Sequence, residues 1–167
     1  LQPNVDGMIQ RLDILMARFP WTQMVLFSEL APFGPLDRFA LPPENETIEQ
    51  FQAAARRHRV WLIPGSLLHP VLTGTTDRDA ELAIARATAA QFQCYIFDVN
   101  GLGAGGVGKS CVVDPTSMVL HQSAGQEDMF PIEIDLNMVR RQRETGMKGL
   151  GQLLKSFRDR PTDFPVY

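Results

Sequence analysis

The octapeptide Gly103–Ser110, GAGGVGKS, matches the phosphate-loop pattern GxxxxGK[ST] in full. In that pattern, loop amides and the N-terminus of a following helix cradle phosphates. The lysine reaches the terminal phosphates, and the Ser or Thr hydroxyl ligates magnesium. Lys109 and Ser110 would hold those two roles in a nucleotide-binding alternative. A second residue with chemical potential is Glu29, a carboxylate just past the apolar run Met24–Phe27. Open α/β sheets place their sites at such strand ends, although a solvent-facing strand-end carboxylate is the plain reading. Cys94 and Cys111 stand in apolar strand-like runs and read as small hydrophobes rather than a disulfide framework. His58, His69 and His121 are far apart and lack ligand spacing, so no metal site is expected.

A phosphate loop needs a strand leading in and a helix leading out. Tyr95–Val99 supplies the strand, but Ser110 is followed by Cys-Val-Val-Asp-Pro. Pro115 inside the required helix would cost about 3 kcal/mol, and the β-branched valines favour a strand. The glycines therefore read as a tight strand-to-strand crossing, where positive φ and close backbone approach are needed. A hairpin is expected beyond it, with strands at 110–113 and 118–121 around the turn Asp114-Pro115-Thr116-Ser117.

Upstream, Val5, Met8, Ile9, Leu12, Leu15 and Met16 recur at helical spacing, with Asn4 or Asp6 as cap and Phe19-Pro20 as terminator. Met24–Phe27 and Val60–Ile63 read as short strands buried on both faces, as in a parallel sheet. Thr47 with Gln50 forms a capping box for a helix ending near Arg57-His58. Thr76 is the expected cap of an alanine-rich helix over 80–90, and Gln93–Val99 the strand after it. Phe130–Ile134 reads as a further strand, and Asp135 caps a helix over Leu136–Arg143. Residues 146–151 read as flexible, Leu153–Phe157 as a weak helix and 159–167 as an extended tail. Helices that alternate with strands first, and antiparallel strands later, give an α/β layered domain with a mixed sheet.

With 167 residues, 44% hydrophobic and 21% charged, the chain suits one globular domain, 1–167. A net charge of −3 offers no basic field for nucleic acid. No signal peptide and no apolar run of bilayer length are seen, so no membrane is expected and a reducing cytoplasmic location fits.

The segment DVNGLGAGGVGKSCVVDPTSMVLHQS resembles the C-terminal part of nitrilase-superfamily carbon–nitrogen hydrolases. In that family a strand ending in Asn meets a glycine loop, a Gly-x-Ser strand, an Asp-Pro turn and a returning strand. Asn100, Gly108, Ser110, Asp114 and Pro115 occupy those places. EIDLNMVRRQR resembles the closing strand and helix, TTDRDAELAIARATAAQ the alanine-rich helix, VLFSELAPFG the first catalytic strand and VWLIPGS a second conserved strand. The resemblance implies an α-β-β-α sandwich that forms a homodimer, no cofactor, and hydrolysis of an amide or nitrile. In that chemistry a Cys attacks, a Glu acts as general base and a Lys stabilises charge. Glu29 matches the Glu, while Thr73 and Asn100 fall near the substrate pocket.

The pattern breaks at a junction near 66–67. The segment that would carry the Lys and Cys is absent, which leaves the sandwich incomplete. Lys109, Lys148 and Lys155 do not fall in the matching place, and neither do Cys94 and Cys111. The family's opening strand would also precede Leu1. Two alternatives stay open. One is a hydrolase whose full chain carries the missing segment, and the other is a catalytically dead remnant or interaction protein on the same scaffold.

Overall fold

The computed structural model describes residues 4–28, 31–32, 45–65, 77–103 and 106–146. Its elements are α1 (Val5–Arg18), β1 (Met24–Leu26), α2 (Glu46–His58), β2 (Trp61–Ile63), α3 (Arg78–Phe92), β3 (Ile96–Asp98), β4 (Leu102–Gly103), β5 (Gly106–Val107), β6 (Cys111–Val113), β7 (Val119–Gln122) and α4 (Leu136–Thr145). Among the described elements helices and strands alternate from α1 to β3, so the α/β class expected from the sequence holds, but the parallel pair and the antiparallel strands lie in separate small sheets rather than in the expected mixed sheet. The elements gather into two compact units. One contains α1, β1, α2, β2, β4 and β5, and the other contains α3, β3, β6, β7 and α4.

In the first unit, α1 buries Val5, Met8, Leu12 and Met16 along one stripe. Leu12 and Met16 pack with Val25, Ala54 and Val60, while Val5 and Met8 pack with Phe51. The helix stops where expected, with the Phe19 N–H donating to Leu15 O just before Pro20. Asn4 stands at its N-cap without a side-chain cap bond. Instead the Asn4 N–H donates to the carbonyl of the buried Pro32 at 2.8 Å.

β1 and β2 pair in parallel, Val25 opposite Leu62, with α2 as the crossover such a pairing requires. The cap of α2 is Asn45, whose Oδ1 accepts from Ile48 N at 3.1 Å. The expected cap, Thr47, lies inside the helix, because the extended backbone that capping needs is at Asn45. The two strands are not buried on both faces as expected. Val25 and Leu62 face the helices, while Met24, Trp61 and Ile63 on the alternate positions are 49%, 76% and 46% exposed. An uninterrupted apolar run carries no period-two signal to distinguish these faces.

In the second unit β6 lies between β3 and β7, antiparallel to both. Ala85 and Ala89 of α3 are small enough to bring the helix close to Cys111 and Val113, and Leu82, Ile96 and Val119 close the cluster. Asp77 caps α3 by accepting from Ala80 N at 3.0 Å; the expected cap, Thr76, lies outside the described residues. Gln93 is not in a strand but ends α3 in the left-handed region at φ 46°, so β3 begins only at Ile96 and Cys94 precedes it.

The hairpin forms at the expected turn. One buried carboxylate oxygen, Asp114 Oδ1, accepts from Thr116 N (2.8 Å), Thr116 Oγ1 (2.7 Å) and Met118 N (3.0 Å). Pro115 pre-sets the first turn angle, and Ser117 takes φ 68°. The pairing slips by one residue between Val113↔Val119 and Val112↔His121, leaving Leu120 as a bulge.

The strand expected at Phe130–Ile134 is not there. Pro131 removes a ladder donor from the middle of that segment, which confines such a run to an edge or to irregular structure. α4 starts where expected, with Asp135 Oδ1 accepting from Asn137 N at 2.9 Å. The Tyr95 hydroxyl reaches both the N–H and the carbonyl of Asp135.

An ion pair and a hydrogen bond, both at Asp13, tie α1 to α2. Asp13 Oδ1 meets Arg57 and lies 2.6 Å from His58 Nε2. Hydrogen bonds from His58 and then Arg57 hold the Asp13 carboxyl below its ordinary pKa. A depressed carboxylate pKa contributes stability above the unfolded-state pKa, and that contribution is lost as pH falls through the folded-state value. The urea midpoint of Asp13→Asn should therefore lie below that of the parent near neutrality. The two should converge well below the ordinary carboxylate pKa of about 3.9. Leu12→Ala should lower the unfolding free energy by about 3 kcal/mol, through lost transfer energy and a cavity. Leu136→Ala, at a side chain 67% exposed, should shift it by less than about 0.5 kcal/mol in the same urea titrations.

Candidate functional site

The described candidate site is the glycine loop of the first unit, residues 100–103 and 106–110. After β3 the chain makes a two-residue ladder, Leu102 opposite Val107 and Gly103 opposite Gly106. At Gly106 a Cβ would collide with the carbonyl of Gly101, so only glycine allows the two arms to lie this close. The Gly108 N–H donates to Gly101 O at 2.9 Å. Gly108 and Lys109 then take φ 66° and 57°, two successive left-handed residues that turn the chain into β6.

Three of the pattern residues meet here. Asn100 Nδ2 donates to Gly108 O at 2.9 Å. The Asn100 N–H donates to Ser110 Oγ at 3.0 Å, and that hydroxyl donates in turn to Asn100 O at 3.2 Å. The Ser110 carbonyl accepts from Ser123 N at 2.8 Å. A single hydroxyl thus satisfies both backbone groups of Asn100, and the Asn100 amide closes the loop from the other side.

The phosphate-loop alternative lacks its second half. Its lysine would open a helix, whereas Lys109 is left-handed and Cys111–Val113 is a strand buried along its whole length. The Ser110 hydroxyl that would bind magnesium is bonded to Asn100.

Cys111 is 1% exposed inside β6, with Sγ 4.0 Å from Asp98 Oδ2. Burial, and then the Asp98 charge, push the thiol pKa up against an opposing effect of Arg78. A thiol held protonated in this way is not a nucleophile. Cys94 is half-buried, and both cysteines are free.

One group escaped the sequence reading. Arg78, the first residue of α3, is 6% exposed; it pairs with Glu81 one turn on and donates to Asp98 Oδ2 of β3 at 2.7 Å. Buried guanidinium groups persist only with such partners, and removing one partner typically costs about 3–5 kcal/mol. The available signal was Asp98 itself, a charge within an otherwise apolar strand, together with the Arg-x-x-Glu spacing at a helix start.

Of the expected site residues, the structure places Asn100, Lys109 and Ser110. Glu29, Thr73 and the junction near 66–67 lie outside the described residues, as do His69, Lys148, Lys155 and the tail 159–167. Among the described residues no cluster of three or more His, Cys, Asp or Glu could hold a metal ion, and no helix is long and apolar enough to cross a membrane. Comparisons of the chain with family models, curated proteins and solved structures find no match.

Removing the Ser110 hydroxyl strips two backbone groups of Asn100 of their partner. Ser110→Ala should destabilise the chain by about 1–3 kcal/mol. Ser110→Thr, which keeps the hydroxyl, should recover part of that loss in thermal or urea unfolding.

Proposed function

We propose that this chain carries the scaffold of a nitrilase-superfamily hydrolase that cleaves a non-peptide carbon–nitrogen bond, in an amide or a nitrile. Glu29 is its general base, Thr73 and Asn100 border the substrate pocket, and the scaffold is an α-β-β-α sandwich that pairs as a homodimer in the cytoplasm. What supports the reading is the hydrogen-bonded set Asn100–Gly108–Ser110, followed by the Asp114-Pro115 hairpin. Those are the residue types, in the order, by which the sequence resembles that family. In this chemistry a thiolate attacks the substrate carbon, and a lysine stabilises the developing negative charge. The amide nitrogen leaves after receiving a proton through the glutamate, and water activated by the same glutamate hydrolyses the thioester.

The nucleophile must be a cysteine other than the two in this sequence. Cys111 is buried and held protonated, and Cys94 lies at the entrance to β3. The Lys and Cys belong to a segment between Gly65 and Asp77 that this sequence does not contain. A second reading, a non-catalytic interaction protein on the same scaffold, is favoured by that same burial of Cys111.

Ammonia release from a panel of amides and nitriles separates the two. For the hydrolase, protein isolated from its source should weigh more than 18.7 kDa and release ammonia. It should be labelled once by a thiol-directed electrophile at a cysteine other than Cys94 and Cys111. Glu29→Gln should slow release by at least about a hundredfold, the usual scale of general acid–base catalysis. A protein of 18.7 kDa that releases no ammonia selects the non-catalytic scaffold.

A further inference from the structure

Asn100 is followed by Gly101, whereas Asn4, Asn45 and Asn137 are followed by Val5, Glu46 and Met138. A glycine after asparagine removes the Cβ that hinders the backbone nitrogen from reaching the side-chain carbonyl carbon. In the structure this dipeptide is held from two sides. Gly108 donates its N–H to Gly101 O and accepts from Asn100 Nδ2 with its carbonyl, both at 2.9 Å. Ser110 Oγ holds the N–H and the carbonyl of Asn100.

We propose that Asn100–Gly101 is a deamidation site that the closed glycine loop holds shut, so that its conversion records how often the loop opens. This inference is independent of the hydrolase reading. In the reaction the Gly101 nitrogen, its proton lost to solvent base, attacks Asn100 Cγ. The Cγ–Nδ2 bond breaks, and Nδ2 takes a proton and leaves as ammonia. Water then opens the resulting succinimide at either carbonyl, giving aspartate or isoaspartate. No oxidant, metal or cofactor takes part.

Ring closure cannot be completed while Nδ2 stays bonded to Gly108 O, because that nitrogen is the leaving group. It also draws in the Asn100 carbonyl region that Ser110 Oγ restrains. Ring closure therefore needs the loop hydrogen bonds to open first. The product does not reclose the loop. Aspartate replaces the Nδ2 donor with a carboxylate facing the Gly108 carbonyl, and isoaspartate adds a carbon to the backbone beside the groups that Ser110 Oγ bridges.

The test follows the peptide containing Asn100 by mass spectrometry during incubation of the whole chain at mildly alkaline pH, with isoaspartate read by isoaspartyl methyltransferase labelling. The parent is compared without denaturant, in unfolding guanidinium chloride and as Ser110→Ala. Asn100 should convert in denaturant and at least about tenfold more slowly in the native chain, the factor expected when hydrogen bonds must break before reaction. Native Ser110→Ala should convert faster than the native parent, and Gly101→Ala should suppress conversion in denaturant. Equal rates for the folded and unfolded parent would overturn the proposal. So would an unreactive Asn100 in denaturant, or equal native rates for the parent and Ser110→Ala.

Discussion

The handedness of two residues decides what the glycine loop can be. Gly108 and Lys109 both lie in the left-handed region. A chain leaving that conformation does not start a right-handed helix, so it enters β6. The Ser110 hydroxyl then fixes the exit by bonding both backbone groups of Asn100. β6 becomes the central strand of its sheet, with β3 on one side and β7 on the other. The core of the second unit forms on its buried residues Cys111 and Val113. Sequence letters that spell a phosphate cradle therefore describe a crossing in which Asn100, Gly101, Gly108 and Ser110 bond to one another.

Much of this was legible because the physics was local. The stripe Val5, Met8, Leu12 and Met16 has the period of a helix and needs no distant partner to be read. Asp114-Pro115 announces a turn through a fixed φ and a short acceptor side chain, and Asp135 announces a helix start in the same way. What escaped depended on competition or on distance. Asn45 and Thr47 are both competent caps two residues apart, and the backbone conformation chose between them. The apolar strands Met24–Leu26 and Trp61–Ile63 contain no polar residue to mark the face that points away from the helices. Phe130–Ile134 had the composition of a strand but carried Pro131 where a donor was needed. Arg78 met Asp98 from twenty positions away, and the charge within the strand does not by itself name its partner. In the candidate site, the sequence order picked out Asn100, Gly108 and Ser110 as a set. Their hydrogen bonds, and the use of the Asn100 amide to close the loop, required the fold.

Two buried groups of the second unit, Arg78 and Cys111, meet the same carboxylate. Arg78 is buried against the carboxylates of Glu81 and Asp98. Cys111 is kept neutral by burial, and by the same Asp98 carboxylate that Arg78 engages. One acidic oxygen, Asp98 Oδ2, thus anchors the start of α3 to β3 while holding the neighbouring sulfur in its unreactive form. The arrangement belongs to packing: it orients a helix and fills a core.

The triple acceptor at Asp114 also bears on the order in which the chain organises itself. Its three donors, on Thr116 and Met118, lie within four residues, so the β6–β7 turn closes at little entropic expense and on the microsecond scale of hairpin formation. Joining Met24 to Trp61 across the parallel pair encloses a loop several times longer, which adds roughly 1–2 kcal/mol of closure entropy. Before α1 and α2 have packed, that longer closure has no compensating contact to hold it. The antiparallel turn is thus the natural seed of its unit, and the parallel pair must wait for its helices.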